Sequence, residues 1–426
     1  MQRFPAPTPV LAGCIAASII LAASCGPGSG PDEGATTSGS AGPAGHAEAP
    51  DGEAEENAGV RLEHLTALPY VALDPDADTS LRGVTRYDRD RAWPGFNLHT
   101  NDVNRVFLTD LNGSLVHGWQ VPASYQRCEH AEFLDDGGIL VVCVDQGLIR
   151  LDWSSRVVWE VKLQVHHDVT LRSDGSILVP YHTQQPWQGR NVWFDYILSL
   201  SPEGKILGRW STFDHLEALR AHHDPSPLDT APGPGADPVP VSLTGVDYYH
   251  LNTVEALPAT PLGERDRRFR PGNILISLRN ASVIMVLDRE DFSIQWSWGR
   301  GELELQHMPT MLDSGHILIF DNGTYREWSR VVEMDPATGR IVWEYRGDPP
   351  EAFYSKWRGS NQRFPNGNTL ICESERGHVF EVAENGEIVW EFWNPDLVGG
   401  SRRRIYRLLR VPAERVLPFL ELRAGP

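Results

Sequence analysis

Three histidines occupy equivalent positions in three repeats of the sequence. His167 lies ten residues before Ile177, and His307 lies ten residues before Ile317. His250 takes the same position by pattern, because "HLNTVEAL" is similar to "HDVTLRS" and "HMPTMLD". One residue type that recurs in one register predicts that the three side chains meet in the fold.

Polar side chains also recur five residues after the same reference points. In a hairpin with a four-residue turn, a position ten residues back faces a position five residues forward. The predicted cross-strand pairs are therefore His167 with His182, His250 with Arg279, and His307 with Asn322. His166 could exchange roles with His167, because neighbouring residues of a strand point to opposite faces.

These residue types suit the transfer of an anionic group. A neutral imidazole is a good nucleophile for covalent catalysis. Arg279 would supply a planar, permanently charged fork that holds two oxygens of an anion. Burying an arginine and several histidines without an anion or a metal would cost several kcal/mol. The other histidines except His130 are assigned to linker, loop or solvent-facing positions: His46, His64, His99, His117, His215, His222, His223, His316 and His378.

The elements that must position these side chains form a repeat. Six blocks each read as a turn, two apolar strands, a polar turn and a strand that carries tryptophan. The marker tryptophans are Trp119, Trp159, Trp210, Trp296, Trp343 and Trp390. Short strands with a period near fifty residues predict an all-β, six-bladed β-propeller in one domain. The tryptophans would then pack between blades.

Two parts of this repeat are irregular. The segment 213–270 is rich in Pro, Gly and His and is interpreted as a long insertion in the region of the third and fourth blades. The closure of blade one has two solutions. Either 83–98 forms its first hairpin alone, or the C-terminal segment 402–411 adds a strand and removes a sheet edge.

The overall charge restricts the partners. The chain has 57 acidic and 38 basic residues, which gives a formal net charge of -19. A nucleic-acid-binding surface is not expected, because it needs a basic footprint. An anionic substrate would be repelled by the chain as a whole, so its site must carry local cations.

The N-terminal segment has the pattern of an export signal. Residues 1–24 contain a short apolar stretch that ends in "LAAS" before Cys25, as in a bacterial lipoprotein signal peptide. Cys25 is the expected lipidation site, with Cys14 as an alternative. Residues 25–59 would be a tether that cannot bury enough apolar area to fold, and 60–426 would be the propeller. Lipid anchoring at the outer membrane or cell surface is the expected membrane contact.

The oxidising compartment implied by export permits a disulfide. Cys128 and Cys143 lie close to the cross-strand geometry described above, which makes a hairpin disulfide between them plausible. Two free buried thiols are the alternative.

The sequence resembles the bacterial arylsulfate sulfotransferase family. The likeness covers roughly 83–412 and is carried by "HHDVTL", "YHLNTV", "SLRN" and "QHMPTM". The resemblance implies a six-bladed propeller that moves a sulfuryl group from a phenolic sulfate to a phenol acceptor through a sulfohistidine. It implies His307 as nucleophile, with His167, His250 and Arg279 in support. Asn322 would orient His307, while His166 and His182 are weaker candidates for substrate binding.

Two other functions remain open at the level of sequence. The three histidines could be ligands of zinc or iron in a metal-dependent enzyme, although Arg279 beside a metal is unfavourable unless an anion bridges them. A surface-anchored binding propeller without catalysis is the other. The favoured interpretation involves no cofactor and no metal, and the sequence gives neither the natural substrates nor the oligomeric state.

Overall fold

The computed structural model describes residues 78–101, 103–222, 241–242 and 245–421. The predicted signal peptide, the tether and Cys25 lie outside the described residues. No helix in the described part of the chain has both the length and the apolar character needed to cross a bilayer.

Six sheets form the blades, and the blade strands named below are antiparallel in each, in order from the inner to the outer strand. Blade 1 combines β29 (Leu408–Val411) with β2 (Phe96–Thr100), β3 (Arg105–Thr109) and β4 (Leu115–Gln120). Blade 2 contains β5 (Cys128–Phe133), β6 (Ile139–Cys143), β7 (Gly147–Leu151) and β8 (Val157–Val161). Blade 3 contains β9 (Thr170–Leu171), β10 (Ile177–Trp187), β11 (Arg190–Leu200) and β12 (Ile206–Ser211).

The second half of the ring repeats this arrangement. Blade 4 contains β15 (Leu251–Ala256), β16 (Ile274–Leu278), β17 (Val283–Leu287) and β18 (Ile294–Trp298). Blade 5 contains β19 (His307–Met311), β20 (Ile317–Asp321), β21 (Arg330–Asp335) and β22 (Arg340–Arg346). Blade 6 contains β23 (Ser360–Arg363), β24 (Thr369–Glu373), β25 (His378–Val382), β26 (Ile388–Trp393) and, outermost, β1 (Gly83–Tyr87). The predicted six-bladed, all-β propeller is confirmed.

The remaining elements connect or cover the blades. They are β27 (Leu397–Val398), β28 (Ser401–Arg402), α1 (Leu216–His222), α2 (Pro261–Arg265) and α3 (Ala413–Glu421). Two further strands, β13 (Val241–Ser242) and β14 (Gly245–Asp247), extend the sheet of blade 3, where β14 pairs in parallel with β11. The segment interpreted as one insertion, 213–270, contains the inner strand β15. Extra residues therefore lie on both sides of that strand, before it and between β15 and β16.

Burial follows strand position within a blade. The second strands β6, β16, β20 and β24 are buried at every residue, because neighbouring blades cover both of their faces. The outer strand β22 instead alternates between exposed and half-buried residues. Gly315 in the turn before β20 has φ +88°, and a Cβ there would meet the Leu262 side chain at 2.6 Å. That turn therefore requires glycine.

The marker tryptophans lie on the fourth strands and link neighbouring blades. The indole Nε1–H of Trp159 donates to the Pro202 carbonyl of blade 3 at 3.0 Å. In the same way, the indole Nε1–H of Trp390 donates to the Leu111 carbonyl of blade 1 at 2.9 Å. The prediction that these tryptophans pack between blades is confirmed for both.

The C-terminal strand closes the ring. β29 pairs with β2, where Phe96 faces Val411, so blade 1 receives its inner strand from the end of the chain. The alternative, a hairpin formed by 83–98 alone, is wrong: β1 pairs with β26 of blade 6 instead. The hairpin strands β5 and β6 also carry a disulfide between Cys128 and Cys143. Cys372 is free and buried.

A buried ion pair joins the closing strand to blade 6. Arg410 Nη1 lies 3.0 Å from Glu381 Oε2, and both side chains are completely buried. The guanidinium also donates to Asn97 Oδ1 and to the Trp93 carbonyl, each at 2.6 Å. Burial lowers the pKa of Arg410, and the ion pair with Glu381 opposes this shift by stabilising the charged guanidinium.

We expect Glu381→Gln to lower the free energy of unfolding by about 3–5 kcal/mol, because it leaves a buried guanidinium without its countercharge. Urea denaturation followed by tryptophan fluorescence measures the change. The matched control is Glu387→Gln, which breaks a surface pair with Arg91 and should cost about 0–1 kcal/mol. Equal costs for the two variants would contradict this role of the pair.

Candidate functional site

The three aligned histidines lie where inner strands begin. His167 precedes β9, His250 directly precedes β15, and His307 is the first residue of β19. His167 and His250 have φ values of 63° and 54°, a left-handed conformation that is unusual outside glycine. The ring of His167 lies 4.6 Å from that of His250 and 6.3 Å from that of His307. Strained backbone of this kind concentrates at functional sites.

Asn322 fixes the tautomer of His307. The amide Nδ2 of Asn322 donates to the carbonyls of Ser355 and Arg358 at 2.7 and 2.9 Å. Its Oδ1 therefore faces His307 Nδ1 at 2.7 Å and accepts the ring proton. The opposite nitrogen, Nε2, keeps its lone pair, is buried, and has no hydrogen-bond partner among the described residues.

Burial keeps this imidazole neutral. Desolvation, followed by the positive charge of Arg279, holds the pKa of His307 well below its ordinary value of 6.5. The hydrogen bond from Nδ1 to Asn322 opposes this shift only in part. The site therefore presents an unprotonated, correctly oriented nitrogen.

A second chain of hydrogen bonds begins at Asp247. Its carboxylate accepts from His250 Nδ1. His250 Nε2 lies 3.1 Å from His167 Nε2, and His167 Nδ1 lies 2.8 Å from His166 Nδ1. Burial lowers the pKa of His166 and moves that of His167 well below 6.5. Three imidazoles and one carboxylate thus form a continuous chain of hydrogen bonds.

Arg279 lies beside these rings. It is 3% exposed, and its backbone N–H donates to the His250 carbonyl at 3.1 Å. Its guanidinium donates to Asn280 Oδ1 at 2.9 Å and lies 5.1 Å from the centre of the Trp357 ring. A cation held over an aromatic ring is oriented and partly desolvated, as an anion-binding group requires.

A cavity of about 740 Å³ continues from the residues that follow the histidines. Asp168, Thr253 and Met308 are part of its lining. Two glutamates on its wall are strongly perturbed: burial raises the pKa of Glu132 to about 7 and that of Glu255 to about 8. The lining of this cavity includes none of the three aligned histidines and does not include Arg279.

Comparison with known proteins identifies the family. Residues 130–395, more than half of the chain, match the arylsulfotransferase (ASST) family. The chain belongs to the arylsulfotransferase family. No curated protein matches it.

The solved structures similar to this chain are distant in sequence. A protein of unknown function from Bacteroides caccae has 14% identity and a TM-score of 0.48, covering 74% of this chain and 98% of that one. A streptogramin B lyase has 11% identity and a TM-score of 0.44, covering 80% and 96%. Virginiamycin B lyase from Staphylococcus aureus, solved as a catalytically inactive variant with quinupristin, has 13% identity and a TM-score of 0.37, covering 63% and 71%.

One predicted cross-strand pair, His250 with Arg279, agrees with the structure; opposite His307 the register places Phe320, although the predicted contact with Asn322 forms through the side chains. His307 contacts Asn322 through its ring, and His250 shares a backbone hydrogen bond with Arg279. The third pair, His167 with His182, differs: the backbone N–H of His182 donates to the Gln164 carbonyl, and its ring lies 4.7 Å from that of His166. The left-handed backbone at His167 turns that side chain toward His250 instead.

Two buried ion pairs near the axis were not found from the sequence. Arg358 Nη2 bonds to Glu129 Oε1 at 2.6 Å, and Arg407 Nη1 bonds to Asp168 Oδ1 at 2.7 Å. Arg358 also contributes to the lowered pKa of His307. Both arginines lie in connections between blades, where the strand pattern gives no register.

Three histidines assigned to loop or solvent-facing positions are in fact buried. His99 lies against Phe107, His117 is stacked on Trp153 at 3.7 Å, and His378 is stacked on Trp393 at 3.8 Å. Aromatic neighbours from adjacent strands cover these rings. The positions predicted for these three histidines are therefore wrong.

The arrangement does not favour the three aligned histidines as ligands of one metal, because they are not the described residues that place three potential ligand atoms within 4.8 Å of one another. Within the described residues, three potential ligand atoms within 4.8 Å of one another come instead from His166, His182 and Asp195.

The depressed pKa values predict a pH dependence of stability. His167 and His307 stay neutral when folded, whereas in the unfolded chain they gain protons below their ordinary pKa of 6.5. The contribution of these neutral rings to the free energy of unfolding is complete above pH 6.5. It is lost as the pH falls below that value, because only the unfolded chain binds the protons. Each histidine should cost about 1 kcal/mol between about pH 7 and pH 5.5.

Urea unfolding of the wild type and of His307→Gln at the two pH values measures this effect. On acidification the free energy of unfolding of the variant should fall less than that of the wild type, by the amount of about 1 kcal/mol expected for one histidine. Identical losses would show that His307 titrates in the same way in the folded and unfolded states.

Proposed function

We propose that this arylsulfotransferase moves a sulfuryl group from a phenolic sulfate to a phenol by a ping-pong route through a sulfohistidine on His307. The family assignment supports aryl sulfotransferase activity in general. The observation that carries the covalent route is the buried, unprotonated Nε2 of His307, whose tautomer is fixed by Asn322.

In the first half-reaction, the lone pair of His307 Nε2 attacks the sulfur of the donor ester. The N–S bond forms as the S–O bond to the aryl group breaks, and the electron pair of that bond leaves with the phenolate. The imidazole becomes positively charged, and Asn322 Oδ1 stabilises it by accepting a stronger hydrogen bond from Nδ1–H.

Arg279 is the proposed partner of the sulfuryl oxygens. Sulfuryl transfer, like phosphoryl transfer, should pass through a loose transition state in which positioning and fixed cations supply most of the catalysis. Arg279 and Arg358 both lie close enough to His307 to lower its pKa. In a chain with a net charge of -19, these local cations allow an anionic donor to bind.

The pair formed by His167 and His250 is proposed to handle the proton. The departing phenolate leaves as the anion and takes its proton from solvent; the incoming phenol then gives its own proton to this pair, which releases it to solvent at the end of the cycle. Asp247 stabilises the positive charge that develops when His250 is protonated, as the carboxylate of a catalytic triad does. The acceptor oxygen then attacks sulfur, and the N–S bond to His307 breaks.

Intact-mass spectrometry tests the covalent step. After brief exposure to 4-nitrophenyl sulfate, the protein should gain the mass of one sulfuryl group, mapped by peptide analysis to His307 and removed by added phenol. His307→Ala should give no adduct and no nitrophenol release.

The matched control for this experiment is His316→Ala. His316 lies on the same blade, next to β20, and bonds to Glu333, so its loss should leave the adduct intact. An adduct on another residue would refute the role of His307. Turnover without any adduct would favour direct transfer between substrates, and absence of both would favour a binding propeller.

We also propose that the protein is exported and anchored through a lipid on Cys25, as its N-terminal sequence pattern suggests. In a bacterial host with a lipoprotein pathway, the mature protein should carry a lipidated N-terminal cysteine and fractionate with membranes. Cys25→Ser should abolish lipidation, whereas Cys14→Ser should not. Lipidation that survives Cys25→Ser would assign the anchor to the alternative site.

A further inference from the structure

His166, His182 and Asp195 form a cluster behind the catalytic histidines that the proposed reaction does not use. His166 and Asp195 are each 2% exposed. Neither His166 Nε2 nor Asp195 Oδ2 has a hydrogen-bond partner within the described residues. Two unsatisfied polar atoms, buried side by side, require an explanation.

Proton counting along the histidine chain makes the problem specific. A carboxylate only accepts, so Asp247 requires the proton on His250 Nδ1. His250 Nε2 then accepts from His167 Nε2–H, and His167 Nδ1 accepts from His166 Nδ1–H. Three neutral rings supply the three protons that these bonds need.

This count leaves Nε2 of His166 without a proton, so that its lone pair is free. It lies 3.4 Å from Asp195 Oδ1. A lone pair that faces a carboxylate inside a protein is repelled by it. Either a fourth proton or a cation must occupy the space between the two atoms.

The separation of these atoms fits a bound cation. Zinc binds histidine nitrogen and carboxylate oxygen at about 2.0–2.2 Å, so two ligands of a tetrahedral ion lie roughly 3.3–3.5 Å apart. A hydrogen bond from an imidazole to a carboxylate is shorter, at about 2.7–2.9 Å. The observed distance of 3.4 Å corresponds to the first case.

His182 completes a set of three ligands. One of its ring nitrogens lies within 4.8 Å of the other two ligand atoms. Its Nε2 bonds to Asp145 Oδ1 at 2.8 Å. Its side chain is 22% exposed, which gives an ion a path from solvent.

We propose that His166, His182 and Asp195 bind a divalent transition-metal ion of the zinc class. Two imidazoles and one carboxylate are a common ligand set for such ions, with a fourth position left for water. The ion takes the lone pair of His166 Nε2 and thereby locks the proton of that ring on Nδ1. His167 and His250 are then held in the orientation that the hydrogen-bond chain requires, as a metal-bound ligand and its outer partners commonly do.

Metal titration tests this site directly. Untagged mature protein is stripped with a chelator and titrated with Zn²⁺ against a competing chromophoric chelator, and separately with Co²⁺ while visible absorption is recorded. The expected result is one tight equivalent of Zn²⁺ per chain, with intense Co²⁺ bands typical of tetrahedral coordination. Thermal unfolding should shift upward with Zn²⁺.

Two variants each remove one ligand. Asp195→Asn keeps the size of a buried side chain, and His182→Ala alters a partly exposed one, so the pair guards against misfolding of either. Each should weaken Zn²⁺ binding at least tenfold. His215→Ala, which removes a histidine that bonds to the Ser211 carbonyl, should leave binding unchanged.

The result that overturns the proposal is a stripped protein with no tight Zn²⁺ equivalent, or one whose binding survives both ligand variants. A fourth proton on the histidine chain would then fill the space. The outcome is independent of the sulfohistidine, because His307→Ala removes the covalent adduct and leaves all three metal ligands in place.

Discussion

Closure of the ring is the constraint on which the site depends. Six inner strands share one axis only if the last blade is joined to the first, and β29 makes this joint by pairing with β2. Inner strands of neighbouring blades contact one another, including β9 with β15 and β15 with β19. Because each of these strands begins at the same mouth, a side chain at its first residue is directed to the same point. A catalytic group can therefore be assembled from blades that are far apart in sequence.

The same constraint concentrates charge in a place where water is scarce. Arg279, Arg358 and Arg407 are all buried near the axis. Two of them have carboxylate partners on other blades, Glu129 for Arg358 and Asp168 for Arg407. Such pairs give little net stability, because desolvation offsets their attraction. The ion pairs instead fix the positions of the positively charged side chains. In a strongly acidic chain, those positions determine whether an anion can bind.

The sequence predicted the parts of the structure that repeat. Periodic strands, turn glycines and fourth-strand tryptophans are local signals, so blade number and the alignment of His167, His250 and His307 could be read without coordinates. His307 with Asn322 was also predictable, because both lie in one hairpin. The rest depends on pairing across the ring. Arg358 and Glu129 are 229 residues apart in sequence, and no local pattern relates them. The prediction that His182 pairs with His167 was wrong because the residue spacing was counted for regular strands, whereas the backbone at His167 is left-handed.

The partner of each ring nitrogen separates the roles of chemically identical residues. His307 has a neutral amide at Nδ1, which stabilises a second proton on the ring only in part, and burial keeps Nε2 unprotonated. His250 has a carboxylate at the equivalent nitrogen, which stabilises positive charge on the ring and suits a group that gains and loses a proton. Exchanging the two partners would protonate the nucleophile and weaken the acid–base group. In the proposed reaction, Asn322 of blade 5 and Asp247 before blade 4 would therefore give the two histidines different roles.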